Sequence, residues 1–193
     1  MNIETLEIDT LWKDKLWGVG VSFSPDGKQL LCDGGPSAFG KVGENIGKQK
    51  TANNYDKQLY LFDLKTKAVE PITLKFNPAV DNALWSKTDN CIYINTTDED
   101  TKKVYKYNVA DKSFTKITAD DDYITSFRMA EKSLVATYNA SKVNMYGNFY
   151  LVDLAVGNRR PLENYEAAIY QNVTFGEVKD WNLKPSKGVD IKG

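Results

Sequence analysis

Leu59–Thr73 reads LYLFDLKTKAVEPIT, Val104–Thr118 reads VYKYNVADKSFTKIT, and Phe149–Glu163 reads FYLVDLAVGNRRPLE. The three stretches align without a gap at a period of 45 residues, marked by Tyr60, Tyr105 and Tyr150. Asp63, Asn108 and Asp153 recur at one offset, just before Lys65-Thr66-Lys67, Ala110-Asp111-Lys112 and Val156-Gly157-Asn158. Aromatic and β-branched residues on both sides of a short polar turn predict a β-hairpin. The expected strands start at Gln58–Leu64, Lys103–Val109 and Asn148–Leu154, and each return strand ends near Thr73, Thr118 or Leu162.

Two more strands precede each hairpin. In Gly20–Leu31, GVSFSPDGKQLL, Val21 and Phe23 alternate with Ser22 and Ser24 as in a half-buried strand. Ser24-Pro25-Asp26-Gly27 is a tight turn, with Pro25 setting φ and Gly27 free to take positive φ. NALWSKTDNCIYINT, around Trp85-Ser86, repeats the pattern with Lys87-Thr88-Asp89-Asn90 as the turn, and YITSFRMAEKSLVATY repeats it around Phe127. Ala167–Phe175 reads as one more strand. Four short strands per unit of roughly 45 residues define a β-propeller blade. The fold class is therefore all-β, with three four-stranded antiparallel blades at about 18–73, 81–118 and 123–175. Closed rings have about 4–8 blades, so three make a partial propeller. An insertion at 34–54, GGPSAFGKVGENIGKQKTANN, interrupts the first blade, and 176–193 breaks the repeat.

Composition narrows the chemistry. The 193 residues carry 25 Lys and Arg against 26 Asp and Glu, a net charge of −1, which implies no basic face for nucleic acid. There is no apolar run long enough to cross a membrane as a helix. The amino-terminal stretch lacks the charged-then-apolar order of a signal peptide. Histidine is absent, which removes any Ser-His or Cys-His pair and the commonest metal ligand. Cys32 and Cys91 sit in equivalent apolar runs and read as packing residues, with a disulfide left open.

Ser24-Pro25-Asp26-Gly27, Leu59–Leu64 and Ile72-Thr73 resemble the propeller blades of prolyl-oligopeptidase-type (S9) serine peptidases, above all the dipeptidyl aminopeptidase IV branch. Lys15-Leu16-Trp17-Gly18 resembles the opening of bacterial members. The tail, Glu177–Lys184 followed by Lys187–Gly193, is similar to that family's crossover from propeller to hydrolase. The resemblance implies cleavage of short units from peptide N-termini by a Ser, Asp and His of a hydrolase domain that follows, so no catalytic residue is carried over. The branch's paired glutamates for the substrate amine find no matching motif here. An exported or periplasmic parent is implied, and no cofactor.

Other patterns read as ordinary structure. Gly35-Pro36-Ser37-Ala38-Phe39 begins like a nucleophile elbow, but Phe39 replaces the final glycine. Gly43–Gln49 fails the phosphate-loop spacing by one residue. Asp98-Glu99-Asp100 and Asp120-Asp121-Asp122 lack the order of a calcium loop. The Tyr60, Tyr105 and Tyr150 row reads as packing between blades, and no metal site is expected.

The chain is thus expected to be a non-catalytic propeller segment that gates short peptides toward the parent's hydrolase domain. Phe39 and Tyr55 of the insertion would line the substrate chamber or touch that domain. The alternative is a free-standing TolB-like propeller that binds a protein partner. A carbohydrate-active propeller ranks last for want of an acid–base carboxylate pair. Open blade faces should associate, giving a homodimer.

Overall fold

A computed structural model describes residues 3–12, 18–46, 51–118, 123–164, 166–179, 181–186, 188 and 191–192. Several sequence expectations lie outside these: Lys15–Trp17, Gly47–Gln49, Asp120–Asp122, and Asp180, Lys187, Val189, Asp190 and Gly193 of the tail. The chain forms two compact units, Met1–Val80 and Asp81–Gly193.

Unit 1 holds one four-stranded sheet, β1 (Gly20–Phe23), β2 (Gln29–Gly34), β3 (Gln58–Asp63) and β4 (Val69–Pro71), paired in chain order. All three pairings are antiparallel. Leu30, Cys32, Ala38, Tyr60 and Phe62 form its core, with Leu11, Trp12, Val19 and Phe39 packed around them. Val21 and Phe23 pair with Cys32 and Leu30 and so lie on the face of that core, as the alternation predicts, yet they are 56% and 67% exposed because β1 is the end strand of the sheet.

Unit 2 holds two blades, except that Ala79 and Val80, which begin the first, are counted in unit 1. The first is β5 (Ala79–Trp85), β6 (Cys91–Asp98), β7 (Thr101–Asn108) and β8 (Ser113–Lys116); the second is β9 (Tyr123–Met129), β10 (Val135–Lys142), β11 (Met145–Asp153) and β12 (Arg159–Glu163). A single parallel bridge, Lys102 to Tyr123, joins them into one sheet path. Their faces share one core, in which Cys91, Tyr93 and Val104 meet Ile124, Phe127, Ala136, Tyr138 and Val152. Tyr93 and Phe127 stack with centroids 6.2 Å apart. This is how blades stay together, since each buries its apolar face against the next.

The 45-residue period has a local hydrogen-bond cause. Asp63 Oδ1 accepts from the backbone N–H of Lys65 at 3.0 Å and of Thr66 at 2.7 Å. Asn108 Oδ1 accepts from Ala110 N–H at 3.0 Å, and Asp153 Oδ1 from Ala155 N–H at 2.9 Å. Each is an Asx turn, which only a short side chain with a terminal oxygen can close. Thr73 and Thr118 also recur: their hydroxyls accept from the N–H groups of Leu59 and Val104, adding a side-chain rung to each hairpin.

After β12 the expected strand at Ala167–Phe175 is not formed. Ala167–Tyr170 is instead a single helical turn, α1. Two alanines favour helix, Glu166 Oε2 accepts from Gly147 N–H at 3.0 Å, and Tyr170 stacks on Tyr146 at 5.9 Å. These side-chain anchors replace the ladder that a further strand would need. Further on, β13 (Asn182–Leu183) and β14 (Ile191–Lys192) pair as a small antiparallel hairpin.

Candidate functional site

The insertion of unit 1 folds back on its own blade. Its stems are Gly34 and Gln58, which face each other across β2 and β3. Tyr60, fully buried, sends its hydroxyl under the loop and donates to Gly35 O at 2.8 Å and Pro36 O at 3.2 Å. Burial pushes its phenol up to about 12, so it stays a neutral donor. Gly43 lies so close to that hydroxyl and to Pro36 O that a Cβ would overlap both. Gly35 is crowded in the same way by Asn54, whose Oδ1 accepts from Ser37 N–H at 3.0 Å. Asn45 reaches from the loop to Leu74 O at 3.1 Å.

Phe39 is half-buried, and its ring meets Trp12 at 5.5 Å, Tyr60 at 4.9 Å and Phe62 at 6.3 Å. It therefore anchors the loop to the blade core. Tyr55 is 91% exposed, on the outside of the same loop. The structure does not bring the two rings together. Ser37 sits in a run of turns after β2 and donates to Glu44 Oε1 at 3.4 Å; no helix follows it as a nucleophile elbow requires. Trp12 was not legible as part of this cluster, because it lies outside the repeat and its partners are distant in sequence.

Between the insertion and the turn after β4 lies a cleft of about 330 Å³. Gln58, Lys75, Asp56, Asn45 and Gly43 line it. Gln58 Oε1 accepts from the Thr73 hydroxyl at 2.8 Å. That hydroxyl already accepts from Leu59 N–H at 2.9 Å, so its proton goes to Gln58 and the Gln58 NH₂ is left over.

Unit 2 carries a polar knot at the turn between β5 and β6. Asp89 Oδ2 accepts from Tyr93 at 2.9 Å and pairs with Lys106 at 3.0 Å. Partial burial would raise the Asp89 pKa, but hydrogen bonds from Ser86, Lys106 and Tyr93 outweigh it and hold the group below its ordinary value. Both cysteines are free thiols. Burial, with Asp33 beside it, pushes Cys32 up to about 12. Asp98 accepts from the Tyr105 hydroxyl at 3.0 Å, a side-chain clasp within the blade. Among the described residues no three Cys, Asp or Glu gather as metal ligands, and no helix is long and apolar enough to cross a membrane.

The same architecture recurs in solved structures. Uncomplexed acylaminoacyl peptidase from Pyrococcus horikoshii superposes with a TM-score of 0.62 at 17% identity, over 86% of this chain and 23% of that one. TolB from Acinetobacter baumannii gives 0.56 at 16% identity, over 83% and 36%. The β-propeller domain of the Trilobed protease from Pyrococcus furiosus gives 0.54 at 18%, over 77% and 38%. No family model matches the chain, and neither does any curated protein sequence. The fold is a partial β-propeller of the kind that TolB and these peptidases share, and the chain spans well under half the length of each of these structures.

Proposed function

We propose that this chain supplies part of the propeller of an S9-type serine exopeptidase of the dipeptidyl aminopeptidase branch. The propeller walls off a catalytic domain and admits short peptides, and the chain itself takes no part in bond cleavage. The observation that carries this reading is the tail. The 45-residue repeat stops after β12, and a separate hairpin, β13–β14, follows. In this reading 176–193 is the crossover to a hydrolase domain, and 1–175 is the propeller part. The peptidases among the structural neighbours support it. The parent works outside the cytoplasm, its partners are peptide substrates and its own hydrolase domain, and it needs no cofactor.

The insertion is the contact element. Tyr55 is its outward residue, and Phe39 holds the loop in place through Trp12, Tyr60 and Phe62. The TolB match favours a second reading, a protein-binding propeller module. The coding sequence after Gly193 separates them. A downstream G-x-S-x-G followed by Asp and His supports the peptidase, and a stop codon there overturns it. In a full-length peptidase, deleting 35–53 should raise KM or alter peptide preference; unchanged kinetics over several peptides would remove the insertion from the substrate path.

A further inference from the structure

The cleft between the insertion and the turn after β4 contains a side chain that the fold leaves half-satisfied. Gln58 is only 7% exposed. Its Oε1 is taken by Thr73, the side chain lines the cleft, and among the described residues nothing accepts from its NH₂. Buried donors of this kind are rare unless something else accepts from them. Lys75 and Asp56 also line the cleft, and neither makes an ion pair among the described residues.

We propose that this cleft binds a small zwitterion of dipeptide size, with its carboxylate on the Gln58 NH₂ and the Lys75 ammonium and its amine toward Asp56. A carboxylate supplies the acceptor that Gln58 lacks, and its hydrogen bonds are strengthened by charge. A simple inorganic anion would satisfy Gln58 and Lys75 but would meet Asp56 as a like charge. The volume of about 330 Å³ lies at the small end of ligand clefts, which suits a dipeptide. This inference does not depend on a peptidase parent: the cleft belongs wholly to unit 1.

The test is a titration of the isotope-labelled chain followed at the Gln58 side-chain amide signals. Glycylglycine should shift them saturably in the millimolar range, about 1–10 mM. N-acetyl-glycylglycine, which keeps only the carboxylate, should bind several-fold more weakly. Glycylglycine amide, which keeps only the amine, should leave the signals unmoved. Gln58→Glu retains the acceptor for Thr73 but replaces the donor with a charge, and should weaken binding by about tenfold or more. Lys75→Met, at an exposed position, should weaken it several-fold without touching the fold. No shift with glycylglycine at 10 mM, an equal response to its amide or to inorganic phosphate, or unchanged binding in both variants would each overturn the proposal.

Discussion

Lys67 and Lys112 stand one repeat apart and hold the same left-handed backbone conformation, with φ of 61° and 58°. Each donates its N–H to the carbonyl of the Asx residue four positions earlier, Asp63 or Asn108, at 2.9 Å. The third blade places Gly157 there, with φ of 76°. The turn demands positive φ in all three blades, and only the last uses the residue best suited to it.

Lys112→Gly should therefore stabilise the chain. Relief of the left-handed strain, about 1–2 kcal/mol, exceeds the extra entropy of glycine, about 0.5–1 kcal/mol. The net gain should be up to about 1 kcal/mol, read from urea midpoints at unchanged m-value. Gly157→Ala should move the midpoint the other way; equal midpoints for both variants would show that the turns carry no strain.

Tyr60→Phe removes the donor that holds Gly35 O and Pro36 O. Gly35 O keeps the N–H of Ala38, but Pro36 O loses its donor, and leaving a buried acceptor unsatisfied costs about 1–3 kcal/mol. The loss should appear as lower global stability and as faster amide exchange at Ala38, whose N–H donates to Gly35 O. Unaltered exchange at Ala38 would mean that the hydroxyl does not secure the insertion.

Asp89 links stability to pH. Its folded pKa lies below the ordinary 3.8, so the unfolded chain binds its proton more readily than the folded one. The stabilisation is complete above about pH 5 and fades as pH falls through the depressed pKa. Asp89→Asn should cost about 1–2 kcal/mol at pH 7, discounted for partial exposure. It should also flatten the acid limb of the stability curve, and a variant with the same acid limb as the parent would exclude Asp89 as its source.

Cys32 is fully buried, and its thiol is pushed up to about 12. The thiolate is the reactive form. Cys32 should resist alkylation at pH 8 in the folded chain and react promptly in denaturant, as mass spectrometry of the labelled peptide would record. Prompt native labelling would place it at the surface.

Val21 and Phe23 expose a large part of their surface on β1. Apolar strand faces of this kind associate, so the isolated chain should form dimers at tens of micromolar by light scattering. Phe23→Lys should return it to monomer, and a parent chain already monomeric would remove this face as an interface.

The amino-acid sequence by itself determined the blade: its period, its four strands and the positions of its turns. The devices that build a blade are local. An Asx oxygen captures N–H groups two or three residues on, and in two of the three repeats a threonine closes the hairpin across fourteen residues, so these devices leave marks at the 45-residue spacing. The non-periodic features were decided only by tertiary structure. Trp12 meets Phe39 and Phe62 across gaps with no register. Tyr60 is the repeat's marker, yet its hydroxyl serves the insertion, which no other blade has. Ala167–Tyr170 became a helical turn because Tyr146 and Gly147 anchor it from a distant strand. Gln58 became a candidate ligand donor only because the insertion folds over it. Hydrogen bonds between near neighbours are written in adjacent residues, whereas burial depends on which distant segments come to rest on one another.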